Sequence, residues 1–511
     1  MLQFLRKYHK WPSLVFTLFI LIFAVSGIIL NHRDLLSPVD VNRKWMPAGY
    51  SWKNWNLAAI KGSVEAGPDS MLVYGNVGVW LTDSTFGRFT DFNRGFPEGI
   101  DNRKTNTMLK AGDGQLYAGT LFGLYRYDPA AKKWRPELLP VPEKRIVKVI
   151  TAGDSLLVMT RSNLLWRPLG DLKAGFRIIP VPAAVDDDGK TGLFRTLWVI
   201  HSGEIYGFIG KLIVDAVGIF FIIICITGII WFTVPYLLKR VKEASKSRLR
   251  RFNRNSLRWH NWLGSWFLPL LIVTTITGIF LRPPLLIPIA SSRVAKIKFS
   301  ELDSPNPWFD RFRDLQYDRE KGMFLVATSE GIYYSADRFG SRLQPFSVLP
   351  PVSVMGINVF EVIETGRYRI GSFSGIFDWN PATGQITDCF TGMEFVDTGQ
   401  RGAPFGNLTV AGYLKTGNGH EYIFDYAAGA IGLKSAPSFV SMPHEVIEQS
   451  PISLWNASLE VHTGRIFEPL LGSMYILVVP VTGLFTLFIL ITGFFSWWLA
   501  KRKKEKISVP D

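Results

Sequence analysis

Five of the seven histidines in this 511-residue chain stand beside long apolar runs, and four of them recur at matching places in two halves of the sequence. His9 and His260 each precede a Trp by two residues (Trp11, Trp262), and each opens an apolar run that closes on a small pair, Ser26-Gly27 or Thr277-Gly278. His201 and His462 each open a His-small-Gly phrase that leads into a second run, ending in Thr-Gly followed by apolar and aromatic residues. His32 marks the far end of the first run, and its counterpart in the second half is Pro283. Neutral imidazoles on facing helices are what a b-type haem requires, one on each side of the ring. The repeat favours His9 with His260 at one site and His201 with His462 at another, with His32 as a rival ligand. Ser26, Gly27, Thr277, Gly278, Gly203 and Gly464 fit a flat macrocycle held between helices, and equally fit close helix packing. A single histidine at a helix end also reads as an interfacial side chain beside Trp or Tyr; the repetition argues for ligation. The chain holds no Cys-x-x-Cys-His, and no carboxylate or Cys stands at zinc-ligand spacing.

These histidines need membrane helices to position them. Apolar residues concentrate in four spans, roughly 12–31, 213–237, 261–281 and 473–499, each long enough to cross a bilayer. The first has no small-residue cleavage site after it and reads as a retained helix rather than a signal peptide. The net charge of +15 is laid down at span ends: Arg6, Lys7 and Lys10, the loop 238–259 with nine Lys/Arg, and the tail from Lys501. That is the positive-inside pattern, suited to an anionic leaflet rather than to nucleic acid. It predicts 1–32 as cytoplasmic N-terminus and first span, 33–200 as the first external segment of a β-domain, and 201–238 as second span. The basic cytoplasmic loop follows at 239–258, then the third span at 259–281 and the second external β-segment at 282–461. The fourth span at 462–500 and a basic cytoplasmic tail at 501–511 complete the order. Five histidines at both ends of these spans place ligands near both faces. His9 and His32 alone are separated by about 35 Å of straight helix, the width of a bilayer. Cys225 and Cys389 fall in different compartments and cannot pair.

The external segments carry a second repeat. VYGNVGVW (73–80), YAGTLFGLY (117–125) and VMTRSNLLW (158–166) share one phrase: a short apolar strand, turn residues, Gly or Asn, then an apolar residue and an aromatic. LVATSEGIYY (325–334), RIGSFSGIFDW (369–379) and a weaker YIFDYAAGAIGL (422–433) repeat it in the second segment. Periods of about 40–45 residues of short strands predict propeller blades, three per segment, resembling those of periplasmic sensor proteins of the two-component-regulator type. The expected fold is a polytopic α-helical membrane protein with four transmembrane helices in two pseudo-repeats. A periplasmic all-β, propeller-like domain is built from both external loops. Two separate small β-domains are the alternative.

The H-x-W…[ST]-G span, the Asn31-His32 pair after it, the H-[ST]-G approach and the four-span layout together resemble PepSY-associated transmembrane proteins. That family includes inner-membrane haem-containing reductases of ferric siderophores and proteins named for iron uptake. The resemblance covers the four spans and implies two b-type haems, with His9, His32, His201, His260 and His462 as ligand candidates. It also implies reduction of periplasmic ferric iron in a bacterial inner membrane. No PepSY module is recognisable in the external loops, which leaves the substrate open. No Gly-x-Gly-x-x-Gly opens a helix after a strand, so electrons are expected from a membrane quinol or a separate donor. The competing readings are a non-enzymatic sensor or scaffold with a ligand-binding propeller, and a transporter using Asp215 and Pro480. Asp215 lies near the external end of its span, where interfacial solvation is the simpler account.

Overall fold

Long apolar runs have no stable place except beside one another, and short alternating strands none except in sheets; the chain divides along that line. The computed structural model describes residues 1–396 and 406–507; residues 397–405 of the second external segment and 508–511 of the basic tail lie outside the described residues. Met1–Leu36, Gly189–Ser304 and Leu454–Asp511 form one compact unit, and Ser37–Asp188 with Pro305–Ser453 the other. Residues 189–200 and 282–304, expected in the β-domain, therefore gather with the helices.

The helical unit is built on α1 (Leu2–Asn31), α2 (Leu193–Ser202), α3 (Gly207–Leu237), α4 (Glu243–Trp266), α5 (Leu268–Phe280), α6 (Leu454–His462) and α7 (Val478–Ile507). Among the described residues, three helical stretches are long and apolar enough to cross a membrane: Leu2–Asn31, Glu204–Leu237 and Arg465–Lys503. The stretch expected as one span over 259–281 is instead two helices, α4 and α5, bent by 67° at Phe267. Pro269, in the first turn of α5, explains the break. It has no N–H for the carbonyl of Ser265, and its ring excludes that carbonyl from a continuous helix.

The His-small-Gly phrases are helix stops. α2 ends at Ser202 with Gly203 in the left-handed region at φ +79°, and α6 ends at His462 just before Gly464 at φ +75°. A Cβ on Gly203 would stand 2.2 Å from the carbonyl oxygen of Gly210, so glycine here both turns the chain and admits a neighbouring backbone. The second copy is longer because of its connection: a turn at Glu468–Leu471 and a 3-10 stretch at Gly472–Leu477 precede α7.

In the β unit the described residues form six antiparallel meanders of three or four strands. Their first strands are β1 (Gly62–Gly67), β2 (Thr105–Lys110), β3 (Ile146–Ala152), β4 (Phe312–Asp318), β5 (Ile357–Glu364) and β6 (Val410–Lys415). Each first strand packs against the next, and β6 packs against β1. The six repeated phrases are the second and third strands of the six sheets. Their register sets Val73 opposite Trp80, Leu157 opposite Trp166 and Tyr368 opposite Trp379. The third-strand aromatic of these three phrases thus faces an apolar or aromatic partner across a strand pair. Adjacent sheets share cores: Ile150, Leu157 and Met159 pack with Trp308, Phe312 and Leu315 from the other external segment.

One buried cation joins the fifth and sixth sheets. Arg369 donates from Nε and Nη2 to both oxygens of Asp378, at 2.7 and 3.0 Å, and from Nη1 to Glu421 at 2.9 Å. Its side chain is 5% exposed. Removing it would strand two carboxylates in a protein interior, so Arg369→Met is expected to cost about 3–5 kcal/mol, read as a fall in the unfolding temperature of the purified protein. Burial alone would raise Asp378 and Glu421, but the Arg369 hydrogen bonds at Asp378, and the Tyr413 hydroxyl followed by Arg369 at Glu421, hold both below their ordinary 3.8 and 4.5. Depressed folded-state values mean that this stabilisation is complete above about pH 4.5 and lost as acid takes the pH through them.

Candidate functional site

A serine or threonine followed by glycine occurs in each of the four apolar runs: Ser26-Gly27 in α1, Thr227-Gly228 in α3, Thr277-Gly278 in α5 and Thr492-Gly493 in α7. In each, the hydroxyl donates back to the carbonyl four residues earlier (Ile22, Ile223, Val273, Phe488) at 2.6–2.8 Å. Such back-bonding loosens the turn. The carbonyl three residues before each hydroxyl then accepts a hydrogen bond from a histidine of another helix. His462 Nδ1 lies 3.1 Å from the carbonyl oxygen of Phe23, and His260 Nδ1 3.0 Å from that of Ile224. His201 Nδ1 lies 3.0 Å from Thr274, and His9 Nδ1 3.0 Å from Ile489.

A carbonyl only accepts, so each Nδ1 carries the proton, and in a neutral ring each Nε2 keeps its lone pair. The glycine supplies the room. A Cβ at Gly493 or Gly278 would stand 2.8 Å from Cε1 of His9 or His201; at Gly27 and Gly228 the distances to His462 and His260 are 3.2 and 3.5 Å.

The four rings come together as two pairs. His9 and His260 have ring centres 6.1 Å apart at 76°, and His201 and His462 6.0 Å apart at 49°. The symmetry of the two halves is kept: exchanging them maps His9 on α7 to His260 on α3, and His201 on α5 to His462 on α1. Two imidazoles sharing one iron, each through Nε2 at about 2 Å, would have ring centres roughly 6 Å apart. The spacing, the fixed tautomer and the glycine cradles fit a haem held by two imidazoles. Among the described residues no three His, Cys, Asp or Glu side chains gather as a metal site, so a tetrahedral ion has too few ligands here.

Gly203 and Gly464, read from the sequence as room for a macrocycle, instead end α2 and α6. The glycines that lie against imidazoles include Gly228 and Gly493, whose signal was the Thr-Gly pair repeated in every run. His32 is a member of neither pair. Its Nε2 lies 2.8 Å from Oδ2 of Asp215, whose Oδ1 accepts from Nδ2 of Asn31 at 2.9 Å. Asp215 is buried, not solvated at an interface as its position near the span end suggested. α1 delivers both Asn31 and His32 to it.

The PepSY-associated TM region matches residues 6–501 of the chain. No curated protein matches at a significant level. Solved structures match at low identity and low TM-score. The extracellular domain of a protein described as a hybrid two-component system from B. thetaiotaomicron has TM-score 0.36 and 11% identity, over 74% of this chain and 33% of that one. PorZ, a surface component of the type-IX secretion system of Porphyromonas gingivalis, has TM-score 0.32 and 12% identity, over 73% and 38%. The computationally designed Ika8 protein has TM-score 0.31 and 7% identity, over 75% and 98%. The chain thus spans about a third of the length of the two natural proteins.

Proposed function

The chain belongs to the PepSY-associated TM region family, and we propose that it is a di-haem oxidoreductase of a bacterial inner membrane, passing electrons outward to chelated iron(III). The observation that carries this reading is the pair of facing imidazole pairs, 6.1 and 6.0 Å between ring centres, every ring anchored through Nδ1. His9 with His260 would hold one b-type haem and His201 with His462 the other, and His32, engaged by Asp215, is left out of the ligand set. In this reading α4 and α5 together make the third of four spans, broken at Phe267. The six meanders with β6 returning to β1 are six blades of a periplasmic propeller. The basic clusters at span ends keep both termini cytoplasmic, which sets the His9–His260 pair toward the cytoplasm and the His201–His462 pair toward the periplasm.

Bound haem supplies one-electron chemistry. The chain's residues do the rest. The four backbone carbonyls fix the imidazole tautomer and raise the basicity of each Nε2. The Ser and Thr hydroxyls lie 3.0–3.2 Å from the same carbonyls and line the seats. The apolar spans keep water and dielectric low around the pairs. Electrons come from a membrane quinol or a separate donor. Iron(III) held by hard oxygen chelators such as siderophores is a fitting acceptor, because iron(II) is the softer ion and binds them less well.

A visible spectrum of the detergent-purified protein, oxidised and then dithionite-reduced, tests the reading. Sharp b-type bands at close to two haems per chain are expected; a colourless protein from haem-replete cells would replace it with the sensor or scaffold reading. The seats give a graded test as well. Gly278→Ala and Gly493→Ala set a methyl against an imidazole that its own hydrogen bond prevents from retreating, and each is expected to lose most of one haem. Gly228→Ala, with 3.5 Å available, is expected to keep both.

A further inference from the structure

The polar cluster of Asn31, His32 and Asp215 breaks the symmetry of the two halves. The offset that carries His9 to His260 puts Arg282 and Pro283 where Asn31 and His32 stand, and aligning Thr227 with Thr492 puts Pro480 opposite Asp215. A clamp needed only to join α1 to α3 would be required equally in the second half. An ionisable pair within a membrane span is costly and is retained for a task. Asp215 has 10% of its side chain exposed and His32 31%, so one partner is withdrawn and the other is part-exposed at the end of α1. The cluster lies near the His201–His462 pair. α1 seats His462 at Phe23, Ser26 and Gly27, and His32 follows five residues on, about 7.5 Å along the axis.

We propose that the Asp215–His32 pair is the proton site of the outer redox centre, binding a proton from external water when an electron reaches that centre and releasing it when the electron leaves. This rests on the di-haem reading. The electron is supplied by a quinol-class donor through the inner pair and is taken by the iron(III) chelate. Only an N–H or O–H bond forms and breaks, with one positive charge gained at the pair for each negative charge gained beside it. Asn31 is a positioning residue: its amide holds Oδ1 of Asp215 so that Oδ2 faces His32. The charged groups on the elements around the pair include Arg282, which lies close to Arg465, Glu460 and His462. Lys211 of α3 lies 3.1 Å from Glu204. Arg465 is 2.5 Å from Glu460 of α6, and Arg33 stacks on Trp455 at 3.7 Å, with Asp34 beside it in the chain. His462 is engaged at Nδ1.

The experiment is spectroscopic redox titration of the purified holoprotein at a series of pH values, on the wild type, Asp215→Asn and His32→Gln. In the wild type one of two haem waves should have a midpoint that falls as pH rises. In both variants that wave should become independent of pH while two waves remain. A pH-dependent wave unchanged in both variants, or a wild type without one, overturns the proposal; a variant that merely loosens the helices would lower haem content and leave the slope. Should Asp215→Asn not fold, His32→Gln decides. A protein without haem overturns the di-haem reading instead, and is distinguished by its spectrum.

Discussion

Replacing His260 with Ala is expected to take the haem content from about two per chain to about one and to leave the remaining haem's spectrum unchanged. His260 is paired with His9 and with no other histidine, 6.1 Å between ring centres. The second pair is carried by different helices, α2 and α6, and seated on α5 and α1. The two centres thus share helices and no ligands. Loss of one axial imidazole leaves its partner to hold an iron alone, and the freed carbonyl of Ile224 and hydroxyl of Thr227 face a cavity, which favours water over haem. His462→Ala should give the complementary loss. His32→Ala is the discriminating control: with Nε2 committed to Asp215, its removal should leave both haems. Pyridine haemochrome stoichiometry per chain reads all three, and unchanged content in His260→Ala would sink the assignment.

The pairing of His9 with His260 and of His201 with His462 was legible because it follows from symmetry, and a repeated sequence repeats its environment. The seats were half legible. Thr-Gly recurs in every run, but which run receives which ring depends on how helices cross, and spacing along one chain does not encode that. Asp215 was misread for a related reason. Its distance from the end of an apolar run suggested solvent, and nothing local announced that Asn31 and His32, far away in sequence, would be carried to it by α1. The bend at Phe267 was written in Pro269, yet hydropathy alone runs straight through it. The six strand phrases located the six sheets because a hairpin is a local object whose register is set within some twenty residues. The packing of β6 against β1 joins residues far apart in sequence, which no local pattern encodes.

Residues 37–188 produced alone are expected to show no cooperative unfolding transition, although they hold three complete sheets. Two faces of that fragment are finished only by 305–453. At one, Leu57 N–H donates to Tyr426 at 2.8 Å, Ala430 N–H to Asn54 at 2.7 Å and the Trp55 indole to Val440 at 2.8 Å. Trp55, fully buried, lies in a core with Phe424 and Val446. At the other face Leu157, Met159 and Leu164 lose Trp308 and Phe312, and Lys148 loses Asp314 at 3.2 Å. Each large side chain returned to water costs about 1.5–3 kcal/mol, so uncovering four or five is comparable to the whole of the roughly 5–15 kcal/mol that holds a domain together. The buried Lys148 left unpaired adds to the loss. Supplying 305–453 in the same cell should restore a folded complex, detected by co-purification and a single thermal transition. A monomeric, cooperatively folding 37–188 would instead make each external segment its own domain.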